Sequence, residues 1–309
     1  MSALPVTRRR AAKSLLGWLA CLLACLAAGV LPAHAQGSLT ARYMISMTGV
    51  SIGEIGWQVD IGESAYTASA TGKASGMLSV LVNGKGSVES SGAVVDGGPV
   101  PANFTSKIDD DEGHTELKVA FTDGVAKERV VSGPPPEPGR LPVSDAERHG
   151  VSDPLSGMLV PVVPGGDFKA AANCKRRLRI FDGRRRYDLA LSFGRVDTFK
   201  AERGYKGPVL VCGVVLHPIG GYKPGSMLVK YVAGRHDMEL WFAPVAGTSL
   251  IAPIRVAMPT MLGTLKIVAV QFETVAAPPA VPATAPIHAP VTSEPLPAPA
   301  SSDQPAARP

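Results

Sequence analysis

The chain is short of the residues that make active sites and metal centres. It has four cysteines in 309 residues, none in CxxC spacing, which gives no framework for a zinc site. His114, His149, His217 and His236 stand singly, without ligand spacing. There is no HExxH, no phosphate loop and no GxSxG elbow, since Ser156-Gly157 lies in the wrong frame. No cofactor or metal site and no catalytic residues are therefore expected, and the chain reads as a non-enzyme. The paired carboxylates Asp109-Asp110-Asp111-Glu112 lack the alternating ligands of a calcium loop and read as a solvated hairpin tip.

An excess of charge is also missing once the N-terminus is set aside. Arg8, Arg9, Arg10 and Lys13 form a basic start, Leu15 to Val30 an apolar core, and Ala33-His34-Ala35 a small-x-small cleavage site. Residues 1–35 thus read as a cleaved signal peptide, with the mature chain beginning at Gln36. Leu22-Leu23-Ala24-Cys25 resembles a lipoprotein box, but the chain stays apolar beyond Cys25. The arginines also resemble a twin-arginine signal. Of 31 basic and 26 acidic residues, the signal removes four basic ones, leaving 27 against 26. Near neutrality and export both exclude general nucleic-acid binding. The expected location is the periplasm, with no membrane span in the mature chain.

Export leaves two cysteines, Cys174 and Cys212, in an oxidising compartment. A disulfide is the expected arrangement, with two buried thiols as the alternative.

What is plentiful is period-two alternation. Arg42 to Ile61 reads as a long hairpin in which Ile55, Trp57, Val59 and Ile61 share one face and Glu54, Gln58 and Asp60 the other. Strands follow at Tyr66–Ala70, Leu78–Val82, Gly86–Ser90, Asn103–Ile108, Thr115–Phe121 and Val125–Val131, a meander broken by the proline loop Gly133–Gly139. One convincing helix start appears, Ser152-Asp153-Pro154-Leu155, with Asp153 as cap and Pro154 at the first position. It is short and apolar, suited to plugging the sheet near 153–160. Asp153 as a catalytic acid is the weaker alternative, because capping explains both Asp and Pro.

A second strand series opens at Lys175. If Asp182-Gly183 is a two-residue turn, Arg177 faces Asp188, Arg179 faces Arg186 and Phe181 faces Arg184. One face then carries Arg177, Arg179, Arg184 and Arg186, which is either an anion site for a headgroup or a solvated face. Leu178, Ile180, Tyr187, Leu189 and Leu191 take the other. Strands are expected at Val209–Leu216, Met227–Val232, Met238–Phe242, Ser249–Met258 and Thr264–Phe272. Residues 36–274 form a single β domain, and 275–309, rich in Ala and Pro, form a disordered tail.

Several of these segments together carry a resemblance: Tyr43 with Gly49, Ile52-Gly53-Glu54, Asp153-Pro154-Leu155-Ser156, Phe181 to Leu189, Leu240-Trp241-Phe242 and Pro253-Ile254-Arg255. They resemble the exported bacterial family called domain of unknown function 3108. The resemblance implies an all-β fold, a large antiparallel wrapped sheet or open, spiral β-barrel, related to the Lol-pathway lipoprotein carriers. It implies a concave apolar interior with a plug, suited to acyl chains or protein partners. The expected function is a non-enzymatic periplasmic envelope protein binding a lipid, lipoprotein or envelope protein. A structural or interaction module without a small ligand, and an envelope hydrolase with a dispersed site, are the alternatives. Curling of the sheet should enclose Trp57, Ile55 and Leu155, and small residues such as Ala68, Ala70 and Gly157 should decide whether space remains.

Overall fold

The opening hairpin supplies the first two strands. The computed structural model describes residues 36–74, 84–111, 113–134 and 138–277; the signal at 1–35, the strand expected at Leu78–Val82 and residues 278–309 lie outside the described residues. Strands β1 (Gly37–Met47) and β2 (Val50–Ile61) meet at Thr48-Gly49, with φ of +50° and +89°. Two positive φ values give the tight turn whose twist matches the strands it joins. Alternation then buries Leu39, Ala41 and Tyr43 of β1 beside Trp57, Val59 and Ile61 of β2.

Strands β3 (Ala65–Ala74), β4 (Lys85–Val95), β5 (Gly98–Asp110), β6 (Gly113–Thr122) and β7 (Val125–Ser132) continue this meander, each antiparallel to the last. Asp96-Gly97 and Asp123-Gly124 repeat the two-residue turn with positive φ throughout. The chain then leaves the sheet. It makes 3-10 turns at Ala146–Arg148, Ser156–Met158 and Ala171–Cys174 and a two-residue strand, β8 (Val160–Pro161). Strands β9 (Arg176–Phe181), β10 (Arg186–Lys200), β11 (Arg203–Gly204) and β12 (Lys206–Gly220) follow. After helix α1 (Met227–Ala233) come β13 (Met238–Pro244), β14 (Leu250–Thr260) and β15 (Gly263–Ala276).

Closure comes from the two ends of the described chain. β15 pairs with β1 from Gly37↔Ala276 to Met47↔Leu265, so the order across the sheet is β7-β6-β5-β4-β3-β2-β1-β15-β14-β13-β12-β10-β9. Thirteen antiparallel strands among the described residues make a nearly closed barrel with one seam, between β7 and β9. Residues His149 to Ser152 run through that seam. The Gly150 N–H donates to the Gly124 carbonyl at 2.8 Å, the Ser152 N–H to Arg179 at 2.8 Å, and the Phe181 N–H to Ser152 at 2.9 Å. Side chains pack beside it, with Phe181 among Phe104, Leu117, Val119, Ala126 and Val151.

Two expectations fail in the C-terminal half. The β9–β10 loop has four residues, Asp182 to Arg185, so Arg179 pairs with Asp188, Arg177 with Ala190 and Phe181 with Arg186. The cause is Asp182, whose carboxylate accepts the N–H groups of Arg184 (2.9 Å) and Arg185 (2.6 Å) and folds the loop on itself. Gly183 (φ +91°) lies where a Cβ would come within 2.0 Å of Leu117. The second failure is Met227–Val232, expected as a strand and found in helix α1. Ser226 caps it by accepting the Val229 N–H, and Val232 packs into the cluster of Val214 and Met238.

The disulfide between Cys174 and Cys212 is present, with a Cα separation of 5.5 Å. It ties the end of the interior segment to β12.

Candidate functional site: an uncharged cavity beside a buried plug

Asp153 fixes the segment that enters the barrel. Its Oδ1 accepts the N–H groups of Leu155 (2.8 Å) and Ser156 (3.0 Å), and its Oδ2 accepts the hydroxyls of Ser90 (2.7 Å) and Ser156 (2.6 Å). Ser90 in turn meets the Tyr66 hydroxyl at 2.9 Å. The carboxylate thus caps the turn and pins it to β4. Burial raises its pKa above the ordinary carboxylate value, against the opposing pull of those four donors. Burial and the Asp153 charge together push the Tyr66 phenol up to about 12. The pinned turn points Pro154, Leu155 and Met158 at the wall built by β1 to β5, β14 and β15. β8 anchors its far end by pairing with Leu250 and Ile251 of β14.

Between plug and wall lies a cavity of about 410 Å³. Trp57, Ile55, Val88, Leu155, Val256 and Ile267 give it apolar sides. The Tyr43 hydroxyl at its edge is satisfied by the Pro253 carbonyl at 2.7 Å. Lys107 also borders it, but alternation with Ser106 and Ile108 sends the exposed Lys107 side chain to the other face of the sheet. The interior is therefore without charge. The indole Nε1 of Trp57 is buried and has no hydrogen-bond partner among the described residues.

Two glycines explain why the space exists. Gly72 and Gly86 face each other across β3 and β4, and neither has a positive φ. A Cβ on Gly72 would meet nothing closer than 3.7 Å. Glycine weakens a strand and often marks close approach of a ligand; at Gly72 the fold does not require it, and the missing side chain is cavity volume. A methylene fills about as much room as a liquid water, ~30 Å³. The cavity thus has room for on the order of a dozen such groups.

The residues expected at a site separate into two groups. Trp57 and Leu155 meet at the cavity, as does Ala70, whereas Gly157 packs against Ile180, where a Cβ would come within 2.2 Å. None of the four arginines lines the cavity. Arg177 and Arg179 border a smaller cleft of about 200 Å³ that contains Ser156 and Gly157. Arg186 is buried and bonded to Asp188 at 2.5 Å, which also holds Arg177 at 3.1 Å. Arg184 sits in the four-residue loop with Nε and Nη2 buried and unpartnered among the described residues. At the β5–β6 tip, Asp109 bonds His114 at 2.7 Å and lies 3.9 Å from Lys85; the His114 hydrogen bond lowers its pKa. No group of His, Cys, Asp and Glu suited to a metal ion occurs among the described residues. Sequence reasoning missed Gly72, Gly86, Met158 and Val256. The available signal was a strand carrying Ala70 and Gly72 on its inward face.

The sequence profile of the protein family of unknown function DUF3108 matches residues 42–270. The chain belongs to that family. No curated protein matches this DUF3108 chain. Among solved structures it is similar to a β-barrel-like protein of domain of unknown function DUF1849 from Brucella abortus. That likeness has 12% identity and a TM-score of 0.45, covering 79% of this chain and 99% of the other. It is also similar to a candidate lipoprotein from Parabacteroides distasonis, at 10% identity and a TM-score of 0.30, covering 78% and 96%. No helix among the described residues of the DUF3108 chain is long and apolar enough to cross a membrane.

Proposed function

We propose that this protein is a non-enzymatic component of the bacterial cell envelope that holds the apolar chain of a lipid or lipoprotein inside its barrel. The observation that carries the reading is the uncharged cavity of about 410 Å³ floored by Gly72 and Gly86. Its size falls in the range of ligand pockets, and its apolar walls suit a hydrocarbon chain. Export by cleavage after Ala35 delivers the chain to the periplasm, where such ligands occur.

The test is mass spectrometry of organic extracts from protein recovered from the periplasm. One acyl species per protein is expected in the wild type, and less in Gly72→Val, whose three side-chain carbons take up part of the cavity. Folded wild-type protein that carries no acyl species, and takes up none from a supplied fatty acid, would overturn the proposal. N-terminal sequencing of the same sample should begin at Gln36.

A further inference from the structure

Two hairpins extend past the cavity and carry no charge over their outer parts. In β1–β2 the uncharged run is 43–53, YMISMTGVSIG, bracketed by Arg42 and Glu54; in β14–β15 it is 256–265, VAMPTMLGTL, bracketed by Arg255 and Lys266. The two tips are joined. The Thr48 N–H donates to the Thr264 carbonyl at 3.1 Å, the Thr260 hydroxyl reaches Met47 Sδ at 3.5 Å, and Met47 pairs with Leu265. They form one projecting edge with Val50 52%, Met261 55% and Leu262 80% exposed. Four of the chain's nine methionines, Met44, Met47, Met258 and Met261, lie in these runs. Met is the apolar side chain best able to adapt to a fluid or irregular partner.

Exposed apolar residues gathered at one edge mark an interaction site, and the surrounding charge indicates with what. Arg42, Arg255, Lys266, Lys73 and Lys85 are set back from the tip, with the acids of the same ring each beside a cation: Glu54 lies 3.8 Å from Lys73, Asp109 3.9 Å from Lys85 and Glu239 2.6 Å from Arg195. Lys266 is four residues from Leu262, ~13 Å at ~3.3 Å per residue. A neutral apolar tip with cations set back by that distance matches a lipid bilayer, with hydrocarbon at the tip and phosphates at the collar. We propose that the joined β1–β2 and β14–β15 tips insert into the surface of a phospholipid membrane. Insertion turns toward the bilayer the end of the barrel nearest the cavity, at Ile55, Gly72 and Ile267.

Flotation of periplasmically recovered protein with phosphatidylethanolamine–phosphatidylglycerol vesicles tests this. The wild type should float, and Leu262→Asp and Val50→Asp should each lower the bound fraction at least ~tenfold, because a carboxylate is strongly disfavoured in hydrocarbon. Both positions are exposed, so urea-unfolding midpoints should stay unchanged. Gly72→Val, which narrows the cavity and leaves the tips untouched, should float like the wild type, separating this proposal from the cavity reading. A wild type that stays in solution, or tip variants that float equally well, would overturn the insertion. So would loss of flotation in folded Gly72→Val, or a wild-type dimer that Leu262→Asp dissolves without any vesicle binding.

Discussion

The two halves of the barrel use the same antiparallel pairing to different ends. In β1 to β5 the strands alternate, with buried residues on one face and polar ones such as Gln58, Ser69, Glu89 and Thr105 on the other. In β12 to β14 whole runs are buried, including Val209 to Cys212, Leu240 to Ala243 and Leu250 to Ile254. Those runs contribute alternately to two apolar clusters, Val209 and Val211 to one, Leu210 and Cys212 to the other. The C-terminal half is thus packed on both faces, braced by a disulfide and tied to the plug through β8. The N-terminal half gives up packing at Ala70, Gly72 and Gly86. One half supplies stability and the other a space.

Substitutions can break or sharpen that contrast. The largest effect is expected for Phe242→Ala, a fully buried side chain in β13, with a loss of about 3–5 kcal/mol against less than about 2 kcal/mol for Val88→Ala at the existing cavity. Urea unfolding of both variants measures the difference, and equal losses would erase the distinction. Removing the disulfide by Cys174→Ala with Cys212→Ala should cost about 4 kcal/mol from the chain entropy of the 38-residue span. The same titration under oxidising conditions reads it.

Asp153→Ala, which strands two N–H groups and two hydroxyls, should cost about 2–3 kcal/mol. Because the native pKa of Asp153 is raised above 3.8, the folded state keeps a proton that the unfolded chain has lost. Its contribution therefore favours folding less as pH rises from about 4 through the native pKa. Asp153→Asn should flatten that part of the stability profile, measured by unfolding between pH 4 and 8. The smallest change in stability, within about 1 kcal/mol, is expected for Gly72→Val, since valine favours strands and has room. A large loss there would mean that the space is needed for folding.

The first half was legible because only one of its faces is buried, and a one-sided sheet writes its register into alternation. Trp57, Val59 and Ile61 announced the interior without help from any partner. The second half is covered on both sides, and there alternation says less. Asp182-Gly183 matched a two-residue turn, but the Asp182 side chain bonded two following N–H groups and lengthened the loop by two residues. A shift of two preserves side-chain parity, so Leu178 and Leu189 still join the core cluster. Met227–Val232 has β-branched residues that suit a strand, and the Ser226 cap with tertiary packing decided for helix. Trp57 and Leu155 were readable as interior residues, but the cavity needs seven strands and the plug to converge. No local pattern states how much volume they leave.

The pairing of β1 with β15 has a further consequence for how the chain is made. Residue 37 must wait for residue 276 before its second edge is covered, so the first meander emerges with a long, largely apolar strand open to any passing edge. Contacts this distant in sequence also slow folding. A chain made from its N-terminus therefore spends most of its synthesis exposed to aggregation, and a chaperone that shields β1 would raise its yield more than any change in the finished barrel.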